Sequence, residues 1–242
     1  MATGEVLERL WRARQDGDYA PAWLVGQLDL KEALDLQLGL LARAEADGER
    51  QSGWKVGLTS ERARQAVGVD ERPFGYLLAS RTLPSGATID AALHHPSIEI
   101  EMCFTIGAGG QPERVAAGFE INERRPGSAR PDFGVMVTDC LTNWGIVEGS
   151  GVSPVPNASD LSGTVIRLER NGEEVFADRS DAHVDDHMVS LARLADQLDR
   201  HGRTLEPGQK VITGAFARFD TGAGDDWRAV YEGIGEVEVH IR

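Results

Sequence analysis

Two glutamates stand two residues apart inside an apolar run, Ser97-Ile98-Glu99-Ile100-Glu101-Met102-Cys103-Phe104-Thr105-Ile106, bounded by Pro96 and Gly107. A run this rich in Ile, Phe and Thr between such breakers predicts a strand, in which residues two apart share a face. Glu99 and Glu101 therefore project together. Ordinary alternation places such a pair on the solvated face of an edge strand. A partly buried pair must instead share a proton, meet cationic side chains or bind a hard divalent cation.

The chain has 242 residues, 41% of them hydrophobic, enough for one large domain or a domain with a smaller appendage. No stretch approaches the roughly 18 apolar residues of a membrane helix, and Met1-Ala2-Thr3-Gly4-Glu5 lacks a basic segment followed by an apolar core. The expectation is a soluble, non-exported, cytoplasmic protein. Cys103 and Cys140 form neither a disulfide framework nor a zinc spacing, and Cys103 reads as a buried, inert thiol. A net charge of -14 argues against a nucleic-acid or anionic-membrane partner, both of which need a basic footprint.

Helical periodicity covers Glu5 to Arg14 and Asp29 to Ala46, with Asp29 and Glu32 spaced as a capping box. Ser60 can cap a short helix that runs through Val67 and ends at Gly68. From Arg81 onward the pattern turns to strands. Asn171-Gly172 between Val165–Arg170 and Glu173–Phe176 predicts a type I′ hairpin, and a second hairpin flanks Gly233-Ile234-Gly235. Asp186 to His201 reads as a helix, Lys210 to Phe216 as a buried strand, and Ser150 to Asp160 as a connecting loop.

Lys55 lies in Gly53-Trp54-Lys55-Val56-Gly57-Leu58-Thr59-Ser60, where glycines allow close backbone approach; it either binds a carboxylate, relays a proton, or snorkels to solvent. Glu120, in Ala117-Gly118-Phe119-Glu120-Ile121, is a third carboxylate or an outward edge residue. Asp132 and Asp139 bracket Phe-Gly-Val-Met-Val, read as a strand whose end aspartates bind substrate or cap turns. His94-His95 reads as a loop feature, and Gly222-Ala223-Gly224-Asp225 is only superficially a phosphate loop.

The ordered segments Gly53–Ser60, Phe74-Gly75-Tyr76-Leu77, Glu99-Ile100-Glu101, Val211-Ile212-Thr213-Gly214-Ala215 and Glu232–Val237 together resemble the 2-keto-4-pentenoate hydratase and 4-oxalocrotonate decarboxylase branch of the fumarylacetoacetate hydrolase superfamily. The resemblance spans nearly the whole chain. It implies an α+β protein with a helical N-terminal cap region over residues 1–70 on a mixed, strand-rich β-roll core over 71–242, and a homo-oligomer. It further implies Mg2+ or Mn2+ held by Glu99, Glu101 and Glu120, and catalysis by Lys55 and Asp139. Lys55, Leu58 and Thr213 would bind an unsaturated 2-oxo acid, with Lys55 beside its carboxylate or C2 oxygen. The implied activity is metal-dependent hydration through an enolate. Decarboxylation, C–C hydrolysis of an acylpyruvate, and a non-catalytic metal-binding role are the alternatives.

This chain departs from the family pattern in several places. Ser80 stands where an acid is usual, and the Ile106–Glu120 stretch lacks most of a helix. Asp139-Cys140-Leu141-Thr142 replaces Asp-Asn-Ala-Ser, and Val184-Asp185-Asp186-His187 replaces a Gly-His/Asn-Pro turn. A different substrate or a different reaction on the same enolate is one consequence to expect.

Overall fold

The computed structural model describes residues 3–125 and 132–242, so Met1 and Ala2 of the segment read for a leader lie outside it. The chain opens with helices α1 (Thr3–Gln15) and α2 (Leu30–Ala46). Asp29 and Glu32 close the expected capping box, Asp29 Oδ1 accepting from Glu32 N at 2.8 Å and Glu32 Oε2 from Asp29 N at 3.0 Å. The face of α2 bearing Ala33, Leu34, Leu40 and Leu41 is fully covered. On that face Gln37 donates to the carbonyls of Phe74 at 2.9 Å and Val137 at 2.5 Å, fastening the helix to later parts of the chain.

There follow β1 (Gln51–Val56), α3 (Glu61–Val67), β2 (Phe74–Leu78), β3 (Thr82–Pro84), β4 (Ala87–Ile89), β5 (Pro96–Ile106) and β6 (Pro112–Glu123). Next come α4 (Phe133–Thr138), β7 (Asn143–Val152), α5 (Ala158–Gly163), β8 (Val165–Arg170), β9 (Glu173–Arg179), α6 (His187–Arg200), β10 (Lys210–Asp220), β11 (Asp226–Tyr231) and β12 (Gly235–Ile241). Asn171 and Gly172 have φ of 55° and 80°, as the hairpin between β8 and β9 requires. One expectation fails locally. Phe133 to Thr138 is a helical turn rather than a strand, because Asp132 accepts from Val135 N at 3.1 Å and caps it. Within the expected loop 150–160, β7 runs on to Val152 and α5 begins at Ala158.

The strands form a seven-stranded mixed sheet in the order β2-β1-β10-β5-β6-β7-β3 and a five-stranded sheet in the order β4-β12-β11-β8-β9. Strand β1, from the N-terminal region, is thus an inner strand of the larger sheet, parallel to β10. One face of β5, Ile98, Ile100, Met102 and Phe104, packs into the main core with Trp227, Ala229, Val237 and Val239 of the smaller sheet. Each fully buried Ile, Met, Phe or Val among them contributes roughly 1.5–3 kcal/mol. The other face carries Glu99, Glu101 and Cys103. On that side the large sheet curls, because Leu77 of β2 and Ile146 of β7 join Cys103 and Ile212 in one cluster although β1, β10, β5 and β6 lie between them. Strand β5 is therefore buried on both faces, which removes the solvated-edge reading of its glutamates. Among the described residues no helix is long and apolar enough to cross a membrane.

Candidate active site

Antiparallel pairing of β5 with β6 sets Glu99 directly opposite Glu120, and Glu101 follows on the same face. One carboxylate oxygen from each of the three lies within 4.8 Å of the others. Tyr231, from the smaller sheet, donates to the carbonyls of Glu101 at 3.0 Å and Gly118 at 2.8 Å, pinning this part of β5 and β6 from behind. Glu101 and Glu120 are buried, and the Glu99 side chain is 15% exposed.

Lys55 reaches this cluster from β1 because of the curl. Its ammonium forms an ion pair with Glu120 Oε1, and both side chains are buried. Gly75 makes room for it, since a Cβ there would lie 2.9 Å from Lys55 Cγ. Asn143 donates through Nδ2 to the same Glu120 oxygen at 2.8 Å. Glu101 Oε2 accepts from Gly214 N at 2.7 Å, and Glu120 Oε2 is buried with no hydrogen-bond partner among the described residues. A pocket of about 260 Å³ opens over these groups, with Leu58, Ala63, Met136 and Leu141 in its wall.

Burial and three converging negative charges dictate the protonation. Glu99 is pushed up to about 7, by burial first and then by Glu120, with Lys55 and Arg218 opposing. Glu101 stands well above the usual carboxylate range for the same two leading reasons. Burial acts on Glu120 in the same direction, yet the Lys55 ion pair and the Asn143 hydrogen bond prevail and hold it low. Desolvation disfavours charge on Lys55, but Glu120, Glu99 and Glu101 outweigh it and keep the amine protonated.

The other expected residues fall in different places. Leu58 lines the pocket with φ of 52°. Asp139 is not among the lining residues: Arg14 Nη2 donates to it at 2.7 Å and Arg125 Nη1 at 2.6 Å, so both its oxygens are engaged. Thr213 is fully buried with its hydroxyl 2.8 Å from His187 Nδ1, while His187 Nε2 lies 2.8 Å from Ser180 Oγ. The exposed Ser80 donates to Glu49 Oε2 at 2.9 Å and does not line the pocket, so an acid there would not face the carboxylates.

Sequence reasoning passed over Asn143 and Thr59. Asn143 follows Cys140, Leu141 and Thr142, whose φ values of 52°, 56° and 70° make three successive left-handed residues without a glycine. Each such residue costs about 1–2 kcal/mol. Thr142 offsets part of this by donating from Oγ1 to Asn122 Oδ1 at 3.0 Å. The strained turn places Leu141 in the pocket wall and Asn143 against Glu120. No local sequence signal predicts left-handed backbone at such residues.

No family model matches the chain. It is 28% identical over 224 residues to a 4-oxalocrotonate decarboxylase of Pseudomonas sp. (strain CF600), covering 87% of this chain and 84% of the relative. It is also 28% identical over 254 residues to a 2-keto-4-pentenoate hydratase of Paraburkholderia xenovorans (strain LB400), covering 98% and 94%. The structure of 4-oxalocrotonate decarboxylase from Pseudomonas putida G7, complexed with magnesium and adipate, superposes with a TM-score of 0.83 at 24% identity, over all of this chain and 96% of that one. The chain thus shares the fold of that decarboxylase and is similar over most of its length to 4-oxalocrotonate decarboxylases and 2-keto-4-pentenoate hydratases.

Proposed function

We propose that the chain is a divalent-metal-dependent lyase that hydrates an unsaturated 2-oxo acid, in the manner of a 2-keto-4-pentenoate hydratase. The observation that carries this reading is the cluster of Glu99, Glu101 and Glu120, with Lys55 in the same pocket. An all-oxygen donor set suits Mg2+ or Mn2+. The fit is supported by the orphaned Glu120 Oε2 and by the raised Glu99 and Glu101, groups that an ion in their midst would hold ionised. When bound, such an ion supplies a Lewis acid for the 2-oxo oxygen.

The protein's own groups do the remaining work. Glu120 and Asn143 fix Lys55, whose protonated amine offers a donor to the substrate carboxylate or C2 oxygen and a site for proton relay. Leu58, Ala63, Met136 and Leu141 form an apolar wall over the remote carbons. That wall favours a neutral tail, and therefore hydration of a monoacid over decarboxylation of a dicarboxylate. We place Asp139 and Thr213 as positioning residues, because both make buried hydrogen bonds beneath the pocket wall.

A second reading, hydrolysis of an acylpyruvate C–C bond, is favoured by His183. It lines the pocket with Nε2 at 2.9 Å from Asp178 Oδ2, an arrangement able to activate water. We also propose a cytoplasmic homo-oligomer with no nucleic-acid or membrane partner; the net charge of -14 supports only the absence of those two partners.

Ultraviolet absorbance of 2-hydroxypenta-2,4-dienoate, with and without Mg2+, tests the lyase reading. The expected result is metal-dependent loss of the dienol signal with formation of the 4-hydroxy-2-oxo acid. Release of pyruvate from an acylpyruvate instead selects the hydrolase. If Glu101→Gln leaves metal affinity and turnover unchanged, the metal-site assignment is wrong.

A further inference from the structure

A second cavity, of about 360 Å³, lies on the other side of Asn143 and draws its lining from α1, β2 and the start of β7. Its character is opposite to that of the glutamate pocket. Arg14, Arg81 and Arg125 line it together with Tyr19, Trp11 and Trp144. The guanidinium carbon of Arg125 sits 4.7 Å from the Tyr19 ring centre, that of Arg14 5.4 Å from the same ring, and that of Arg81 5.3 Å from Trp144.

The charges in this cavity do not balance. Asp139 serves both Arg14, at 2.7 Å, and Arg125, at 2.6 Å, and Glu123 adds a contact to Arg125 at 3.1 Å. Three guanidiniums thus share two carboxylates. Arg81 has no carboxylate within salt-bridge distance among the described residues, and its one hydrogen bond there is to the Trp144 carbonyl at 3.4 Å. Burial first, and then repulsion from Arg125, holds Arg81 below its ordinary range. A guanidinium in this position is short of an anion. The aromatic rings that line the cavity, Trp144 against Arg81 and Tyr19 against Arg14 and Arg125, offer flat apolar surfaces that inorganic anions do not use.

We propose that this cavity is a second ligand site, which binds a small planar carboxylate of the aromatic or conjugated class through Arg81, with Tyr19 and Trp144 against the flat body of the ligand. A carboxylate matches the guanidinium fork in two parallel hydrogen bonds. Arg14 and Arg125 are already committed to Asp139 and supply the surrounding field. The site is distinct from the glutamate pocket, and the proposal holds whichever reaction runs there. Asn143, which lines this cavity, connects it to the other pocket by hydrogen bonds: it accepts from Arg125 Nη2 through its carbonyl at 2.8 Å and donates to Glu120 through its side chain at 2.8 Å.

The probe is sodium benzoate, followed by tryptophan fluorescence, with inorganic phosphate in a parallel titration. The expected result is a saturable response to benzoate, weakened about tenfold by Arg81→Gln, the equivalent of one charge-assisted contact, and unaltered by Lys55→Met in the other pocket. Phosphate should bind more weakly than benzoate. The proposal is overturned if the parent protein shows no saturable binding, if Arg81→Gln leaves benzoate affinity unchanged, or if Lys55→Met, shown by circular dichroism to be folded, alone abolishes it. Equal affinity for phosphate overturns the planar-carboxylate assignment. Crystals soaked with para-bromobenzoate give a reading that needs no variant: a bromine peak between Tyr19 and Trp144 supports the site, and a peak only beside Lys55, or none, refutes it.

Discussion

Lys55 and Glu120 form an ion pair with both partners buried, the lysine side chain 5% exposed and the glutamate 0%. Removing one member of such a pair typically costs about 3–5 kcal/mol, because the other charge is left uncompensated. Glu120 in addition has Glu99 and Glu101 beside it. Lys55→Met is therefore expected to lower the urea midpoint in chelator, to regain most of that loss on addition of Mn2+, and to reduce turnover by at least ~100-fold. Parallel denaturation and absorbance assays check this. An unchanged midpoint in chelator would show that the pair is not coupled to stability.

The metal affinity of the cluster should rise steeply with pH. Glu99 titrates at about 7 and Glu101 stands well above its ordinary 4.5, so protons compete with the ion. Both folded values lie above the unfolded one. The stability linked to them is fully present below the unfolded value and is lost as pH rises through the folded values, so the metal-free protein loses stability across neutrality. Calorimetric Mn2+ titrations are expected to show weak binding near pH ~5.5 and a plateau above pH ~8. A flat profile would contradict the carboxylate assignment.

His187 carries an acid-stability term of the opposite sign. Enclosed between Ser180 and Thr213, it is lowered to about 4, chiefly by burial. The unfolded chain binds a proton near pH ~6.5 while the folded chain does not, so stability falls as pH drops from about 6.5 towards 4. The contribution is about 3 kcal/mol over that window. His187→Gln should be destabilised at neutral pH yet lose less on acidification than the parent. Urea midpoints at pH ~7 and ~4.5 make the comparison, and equal acid sensitivity in the two proteins would sink the idea.

Gly214→Ala tests the backbone donor to Glu101. Gly214 has φ of 126°, and an added Cβ would lie 2.0 Å from Thr59 Oγ1. Backbone strain and the clash together are expected to cost roughly 2 kcal/mol or more and to weaken Mn2+ binding as the amide leaves Glu101. Thr59→Ala in the same chain should recover only part of the clash, since Thr59 Cβ would remain 2.8 Å from the added carbon. Full recovery would mean that the unusual backbone angle is not required.

Features set by a few adjacent residues were legible in the sequence. The Asp29–Glu32 cap, the left-handed Gly68 and the Asn171-Gly172 turn are local solutions for unpaired backbone groups, readable without knowing the fold. Phe133 to Thr138 misled because an apolar hexamer has no period long enough to separate strand from helix, and the Asp132 cap decided it. The partners of Asp139 were not legible, since its position along the chain says nothing about the arginines of α1 and of the segment after β6 that engage it.

By itself the sequence determined that Glu99 and Glu101 share one face, because the two-residue period of a strand is a property of the chain. Whether that face met water or other carboxylates was decided by tertiary structure alone. The β5–β6 register set Glu120 opposite Glu99, and the curl of the seven-stranded sheet brought Lys55 across β10 and β5 to meet it. Strand pairing joins residues far apart in the chain, and its register answers to the whole core rather than to any local pattern.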